Sequence, residues 1–384
     1  MKIVIYEDRL EKFTPLVNFY PQFHLRIGMK TILDNIQYYF PKTKFDFLTR
    51  EIFNPRFGTK HGPVMYLSSR LLLKERINLP SEEVRILVED EPVGFLKTNP
   101  PYPATIADVE KELRPIRKAK KVSGRVLNNL CDLIKYNEEL ITEHFHQTRG
   151  KSKNPRGFEL IGSRKDLFIA SDAVVHQSVA IDVTEGPVYI DRGAVIRSFT
   201  TITGPSYIGS RVIIDRAKIN KSTIGPGCRI GGEVETSIFQ GFSNKYHEGF
   251  LGHSFVGEWV NLGALTTNSD LKNNYGPVRI KIGKEVIDSG MIKLGCMIGD
   301  HAKLGIGTLI PTGTVIGSFV NFFGGGMMPR YVPSFKWLGP GIDENYDLEK
   351  ALETTRTVMK RRGVEMTKNY ETVIRAHFKS KPGS

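Results

Sequence analysis

The chain has 384 residues, enough for two or three structural units, and its 40% apolar and 25% charged content suits a protein with a sizeable core. The formal net charge is +13, but the basic residues are dispersed, with runs only at Lys118–Lys121 and Lys360–Arg362. No zinc-finger spacing, helix-turn-helix pattern or aromatic–basic signature accompanies them, so nucleic acid is set aside in favour of phosphorylated small molecules drawn to a basic surface. No apolar run approaches a membrane span, and the opening Met1–Leu10 carries no signal-peptide core, so neither membrane nor export is expected. Cys131, Cys228 and Cys296 are too few and too scattered for a disulfide framework, which points to the cytoplasm.

In chain order, Met1–Tyr6 reads as a strand and Met29–Tyr39 as a helix with Ile32, Ile36 and Tyr39 on one face. Arg70–Leu73 and Glu83–Val88 read as strands, and Leu127–Phe145 as an amphipathic helix carrying Leu130, Leu133, Ile134, Leu140, Ile141 and Phe145 at helical intervals. Thr98–Pro103 is a proline-rich loop, and Gly150–Arg156 is a polar linker that closes an α/β region over residues 1–155.

A different period takes over from there. Branched apolar residues recur at every sixth position: Ile169, Val175, Ile181; Ile190, Ile196, Ile202, Ile208, Ile214; Ile224, Ile230; Val256, Leu262; then Ile280, Val286, Ile292, Ile298, Leu304, Ile310, Ile316. Neither a helix nor a flat strand has this period, but a triangular solenoid does, with one short strand and one corner per hexad. The pattern predicts a left-handed parallel β-helix over residues 156–335, with these side chains pointing inward. Breaks near Asp182–Pro187, Glu235–Phe250 and Asn268–Pro277 are expected to be loops, where chemistry is usually placed. Over residues 336–384 two apolar stripes, Leu348, Leu352, Val358-Met359 and Tyr370, Val373-Ile374, Phe378, predict a helical tail broken at Gly363 and packed on the solenoid's end or on a neighbouring subunit.

His247 falls in the second break, close to Gly249 and Gly252, so its ring is free to reach a cleft. A neutral imidazole there can take a proton from an amine attacking a thioester. Gly263-Ala264 allows close approach of a slim ligand arm, and a neighbouring backbone N–H can hold an oxyanion. The bland alternative for His247 is a hydrogen-bonded surface histidine.

The segment His247-Glu-Gly-Phe250-Leu-Gly-His253, followed by Val256-Gly, Asn261-Leu-Gly-Ala-Leu-Thr266 and Asn274-Tyr-Gly276, resembles the β-helix domain of bifunctional N-acetylglucosamine-1-phosphate uridylyltransferase/glucosamine-1-phosphate acetyltransferases. The chain resembles still more closely a divergent branch of sugar nucleotidylyltransferase-like proteins, through Glu185–Ile190, Gly204–Gly209, Ile230–Val234, Gly241–Lys245, Gly257–Gly263, Asn268–Asn273 and Pro333–Phe335, with thinner likeness at His24–Gly28 and Asp132–Asn137. The resemblance implies acetyl transfer from acetyl-CoA to an amino-sugar 1-phosphate, in a homotrimer with active sites between subunits. It implies His247 as general base, Asn274 and Tyr275 at the sugar, and Asn261, Gly263 and Ala264 at the coenzyme. Two departures stand out. Phe250, also at the sugar, replaces a tyrosine, and Glu235 takes the place of a lysine, for which Lys245 and Arg229 are both candidate substitutes in substrate binding.

For the first 155 residues the resemblance implies nucleotidylyl transfer from UTP or dTTP, yet the family's glycine-rich loop is missing. The nearest features are Asp8, as a carboxylate for magnesium, and Arg26 with Gly28, as a phosphate-binding fork; all three equally suit local pairing and capping. Three other readings compete: a zinc site of His247, His253 and His301, a nucleotidylyltransferase with a non-catalytic β-helix, and a trimeric scaffold.

Overall fold

The computed structural model describes residues 2–53, 62–78, 82–98, 105–148, 152 and 156–380. The predicted loop Thr98–Pro103 and linker Gly150–Arg156 lie almost entirely outside these. The chain divides into two compact units: residues 1–13, 20–25 and 30–130 form the first, and residues 14–19, 26–29 and 131–384 the second.

The first unit is α/β. Lys2–Tyr6 lies inside a six-stranded mixed sheet, parallel to Phe45–Leu48 on one side and Val64–Ser68 on the other. Its β-branched run is buried from Ile3 onward, as an inner strand requires. Glu91–Lys97, Val84–Val88 and Ala119–Lys121 complete the sheet. The helix predicted from Met29 begins at Ile32 instead. Thr31 caps it: its side chain accepts from the Asp34 amide while the Asp34 carboxylate accepts from the Thr31 amide. Val4, Tyr6, Val64, Tyr66 and Phe95 pack with Val109 of the helix Ile106–Leu113.

The second unit is the solenoid, and its strands pair in parallel from coil to coil. Three inward columns run along it. Ile190, Ile208, Ile224, Phe239, Val256, Ile298, Ile316 and Val332 form one. Ile196, Ile214, Ile230 and Lys245 lie in the second, and Ile181, Ile202, Ile219, Val234 and Leu251 in the third. This is the packing of a hexapeptide-repeat β-helix: each apolar residue is covered by its equivalents above and below. Apart from Lys245, the column members named here share one buried cluster.

Two expectations need correction. Ile280, Val286 and Ile292 keep the six-residue phase but lie outside the coil. Arg279–Ile282 and Glu285–Asp288 form an antiparallel hairpin, on which Val286 and, beyond it, Ile292 are more than half exposed. The coil resumes only at Met297–Ile298, paired with Phe255–Val256. Conversely, Glu235–Phe250 is no insertion. The coil continues through it with Phe239, Lys245 and Leu251 in the inward places, where two side chains unlike the branched repeat hid the phase.

One corner stacks Phe242, Trp259, His301, Phe319 and Phe335, with successive centroids 4.5, 6.4, 4.5 and 4.8 Å apart. All five have positive φ, between 54° and 62°, and the stacking offsets the strain of the left-handed conformation. The tail forms two helices, Leu348–Lys360 and Lys368–Ser380, and the second packs along this ladder: Tyr370 and His301 Nε2 are hydrogen-bonded at 2.8 Å, and Phe378 meets Phe335 edge-on. The break between them at Gly363 has φ 69°. No helix among the described residues is long and apolar enough to cross a membrane.

Candidate active site

Strand alternation decides which side chains of the solenoid meet solvent. Around the inward places of Ile230, Lys245, Leu262 and Leu304, the preceding residues Arg229, Asn244, Asn261 and Lys303 form an outward column. The residues that follow are Gly231, Tyr246, Gly263 and Gly305. Arg229 and Asn261, expected at substrate and coenzyme, therefore share one face, with Gly263-Ala264 adjoining. Asn244 Nδ2 donates to Asn261 Oδ1 at 3.0 Å. Gly263 is demanded by the coil itself, since a Cβ there would lie 2.7 Å from the carbonyl carbon of Gly305.

His247 stands in an exposed turn directly after this column. Its ring meets Tyr246 edge-on at 5.9 Å. Tyr246 is itself fixed, accepting from Arg197 at 2.7 Å and donating to Asp215 at 2.9 Å. The turn backbone is anchored from inside. Lys245, 1% exposed, donates its ammonium to the carbonyls of Gly231 (3.0 Å) and His247 (3.1 Å). Burial pushes this amine down to about 8, against smaller opposing effects of Glu248 and Glu233. Lys245 thus faces the interior and not a bound sugar, which corrects the expectation of a substrate contact. Inward and outward lysines look alike until the register is known.

A second cluster gathers around Glu235. Lys293, from the insertion, reaches it at 3.6 Å, bringing a lysine to the place where the family's own was missing. Beside it His253 Nδ1 donates to Asp270 Oδ2 at 2.7 Å. Burial alone would raise the Asp270 carboxyl, but the His253 hydrogen bond and charge, with Lys293, hold it below its ordinary value. The Phe250 ring and Asp270 Oδ2 converge over Gly252, where a Cβ would meet them at 2.4 and 2.6 Å. Asn274 and Tyr275 are exposed on the insertion; Asn274 Oδ1 accepts from the Gly276 amide, and Tyr275 has φ 54°. Among the described residues, no hydrogen bond or ring contact joins either to His247.

The histidines of the zinc reading have separate surroundings: His247 against Tyr246, His253 on Asp270, and His301 in the aromatic stack. Among the described residues, no group of three or more metal-ligating side chains gathers.

In the first unit, Asp8 Oδ2 accepts from Arg70 Nε at 2.7 Å and from Ser68 at 2.9 Å. Arg70 is 1% exposed and also pairs with Glu91 at 3.0 Å. These bonds engage Oδ2 of Asp8 and orient its carboxylate. Arg26 and Gly28 belong to the second unit. Arg26 donates to the Gln240 and Met29 carbonyls. Gly28 donates to Asn137 at 2.8 Å, and a Cβ there would lie 2.7 Å from His144 Nδ1. Arg26 and Gly28 thus help hold their loop on the second unit, and the Nη2 of Arg26 is not engaged by these bonds. Sequence reasoning missed Lys293, which reaches its site from the insertion, and Lys303, which comes from a later coil. It also missed Arg361 and Arg362, whose only signal was the run Lys360–Arg362.

The model of the sugar nucleotidyl transferase family matches residues 3–152. A bifunctional sugar-1-phosphate nucleotidylyltransferase/acetyltransferase of Sulfurisphaera tokodaii is 31% identical over 160 residues, 38% of each chain. The bifunctional protein GlmU of Methanococcus aeolicus is 31% identical over 264 residues, 64% of this chain and 55% of its own. An uncharacterized acetyltransferase of Escherichia coli is 27% identical over 162 residues, 41% of this chain and 68% of its own. The matches span 38% and 55% of the two bifunctional relatives. With a sugar nucleotidyl transferase match over residues 3–152 and a hexapeptide-repeat solenoid behind it, the chain is similar in both parts to the bifunctional nucleotidylyltransferase/acetyltransferases.

Proposed function

We propose that the solenoid, within residues 156–335, transfers the acetyl group of acetyl-CoA to the amine of an amino-sugar 1-phosphate such as glucosamine 1-phosphate. The observation that carries this is His247, exposed in a turn held by Lys245 and flanked by Asn261–Ala264. The amine nitrogen attacks the thioester carbonyl and His247 takes its proton. The carbon–sulfur bond breaks as the tetrahedral intermediate collapses, and the proton passes to the leaving thiolate. Asn274 and Tyr275 reach the sugar from the insertion of an adjacent subunit in a homotrimer, which would explain why nothing joins them to His247 in one chain. A solution mass equal to one chain would exclude that arrangement.

The first unit is proposed to transfer a nucleotidyl group from UTP or dTTP to the sugar 1-phosphate, supported by the family match over residues 3–152. The buried state of the free cysteines Cys131, Cys228 and Cys296 suits a reducing cytoplasm. A second reading of the acetyl transfer makes His253 the base, since Asp270 orients its ring as carboxylates orient catalytic imidazoles. One experiment tests these readings. Purified protein is incubated with acetyl-CoA and a panel of amino-sugar 1-phosphates, then with each nucleotide and magnesium, alongside His247→Ala and His253→Ala. Absence of acetylated product from the wild type would exclude the acetyl-transfer reading.

A further inference from the structure

Beside the outward column lies a cavity of about 580 Å³. Arg229, Asn244, Asn261 and Lys303 line it, joined by Arg361 and Arg362 from the end of the helix Leu348–Lys360. No carboxylate contributes to the lining, and none of these four cations forms an ion pair among the described residues.

Two of the cations are forced together. Arg229 Nη1 donates to the carbonyls of Arg211, Gly227 and Cys228, and Arg362 Nη1 donates to the same Gly227 oxygen. The two distances to that oxygen are 3.3 and 3.4 Å, so the guanidinium groups sit side by side. Each spends one nitrogen on the backbone, which fixes its plane and leaves the others for a ligand. Burial first, and then Arg362, push Arg229 below its ordinary value; burial and Arg361 do the same to Arg362. Lys303 lines the same cavity with its amine on the carbonyls of Trp259 and His301; burial lowers that amine to about 7, so an entering anion would favour its charged form. Like charges converging without a carboxylate are unfavourable until an anion enters, and paired planar forks match the oxygens of a phosphate.

We propose that this cavity binds the phosphate monoester of a ligand used in the acetyl transfer, with Arg229 and Arg362 as the paired donors and Arg361 adding charge. It rests on the acetyl-transfer reading for the identity of the ligand. Two ligands of that reaction carry the group: the amino-sugar 1-phosphate and the 3′-phosphate of coenzyme A.

The test uses the whole chain and its own reporter, because Trp259 lines the cavity. Fluorescence and calorimetric titrations compare coenzyme A with dephospho-coenzyme A, and glucosamine 1-phosphate with glucosamine. Arg362→Ala and Arg229→Ala are measured beside the wild type, with circular dichroism checking each fold. Loss of one charge-assisted contact is expected to weaken the phosphate-bearing ligand roughly 10- to 100-fold. The partner without the phosphate should be unaffected. Collapse of the coenzyme A preference identifies the coenzyme as the source; collapse of the glucosamine 1-phosphate preference identifies the sugar. If both preferences survive in both folded variants, or neither ligand is preferred by the wild type, the cavity is no phosphate site. If acetyl transfer is absent but a preference exists and depends on Arg362, the acetyl-transfer reading fails while the anion site stands. Acetyl transfer with preferences insensitive to both arginines removes the anion site and leaves the acetyl-transfer reading in place.

Discussion

Lys245→Met gives a perturbation whose size follows from the structure. The side chains have similar length, so the interior remains filled while the ammonium is lost. Burial lowers the Lys245 amine from an ordinary 10.5 to about 8. At about 1.36 kcal/mol per tenfold change in protonation, the charged form is penalised by about 3 kcal/mol in the folded chain. The sign follows from proton binding. Between about 8 and 10.5 the unfolded chain holds more protons at this site, so wild-type stability rises with pH across that window. The penalty is complete below the window and absent above it. Methionine removes the titration but also the bonds to the Gly231 and His247 carbonyls, each contributing about 1 kcal/mol net. The variant should therefore match or slightly exceed the wild type at neutral pH and fall behind by pH 10. Urea unfolding of both proteins across this range measures the difference and cancels groups common to the two. A difference that stays constant within about 1 kcal/mol would refute the reasoning, since the window requires a change of about 3 kcal/mol. Acetyl transfer should also drop in the variant, because the His247 turn loses its inner anchor.

Three further outcomes are expected. His247→Ala should lower acetyl transfer by roughly two to four orders of magnitude with an unchanged circular dichroism spectrum, since its exposed ring leaves no core cavity; retention of more than about a tenth of the rate would transfer the role to His253. Ile214→Ala, fully buried between Ile196 and Ile230, should cost about 2–5 kcal/mol in chemical denaturation; a cost under about 1 kcal/mol would contradict its place in the stacked column. Asp270→Asn should remove a contribution that is full above 3.8 and lost as pH falls below it, so wild-type and variant melting temperatures should converge in acid; a gap that widens there would reverse the sign assigned to the His253–Asp270 pair.

The solenoid was legible in the sequence because its repeat is local. Each short strand sets its own inward residue by alternation, and three hexads close a coil wherever the chain lies, so Ile190 to Ile214 could be placed without knowing any partner. His247 was read as exposed because it fell in an apparent break of the repeat; the coil continues through that stretch, and the exposure comes instead from a turn directly after the inward Lys245. Tertiary structure decided what depended on register between coils. Ile280, Val286 and Ile292 share the six-residue spacing with true core residues, and only the antiparallel pairing of their hairpin removes them from it. Lys245 has the composition of a surface residue, and only its alignment with Ile230 turns it inward. Lys293 meeting Glu235, His253 meeting Asp270, and Arg362 sharing a carbonyl with Arg229 each join residues distant in the chain. A lysine, aspartate or arginine carries no mark of its partner in its own neighbourhood; the partner is chosen by how many residues each coil contains and where the insertion and the tail return to it.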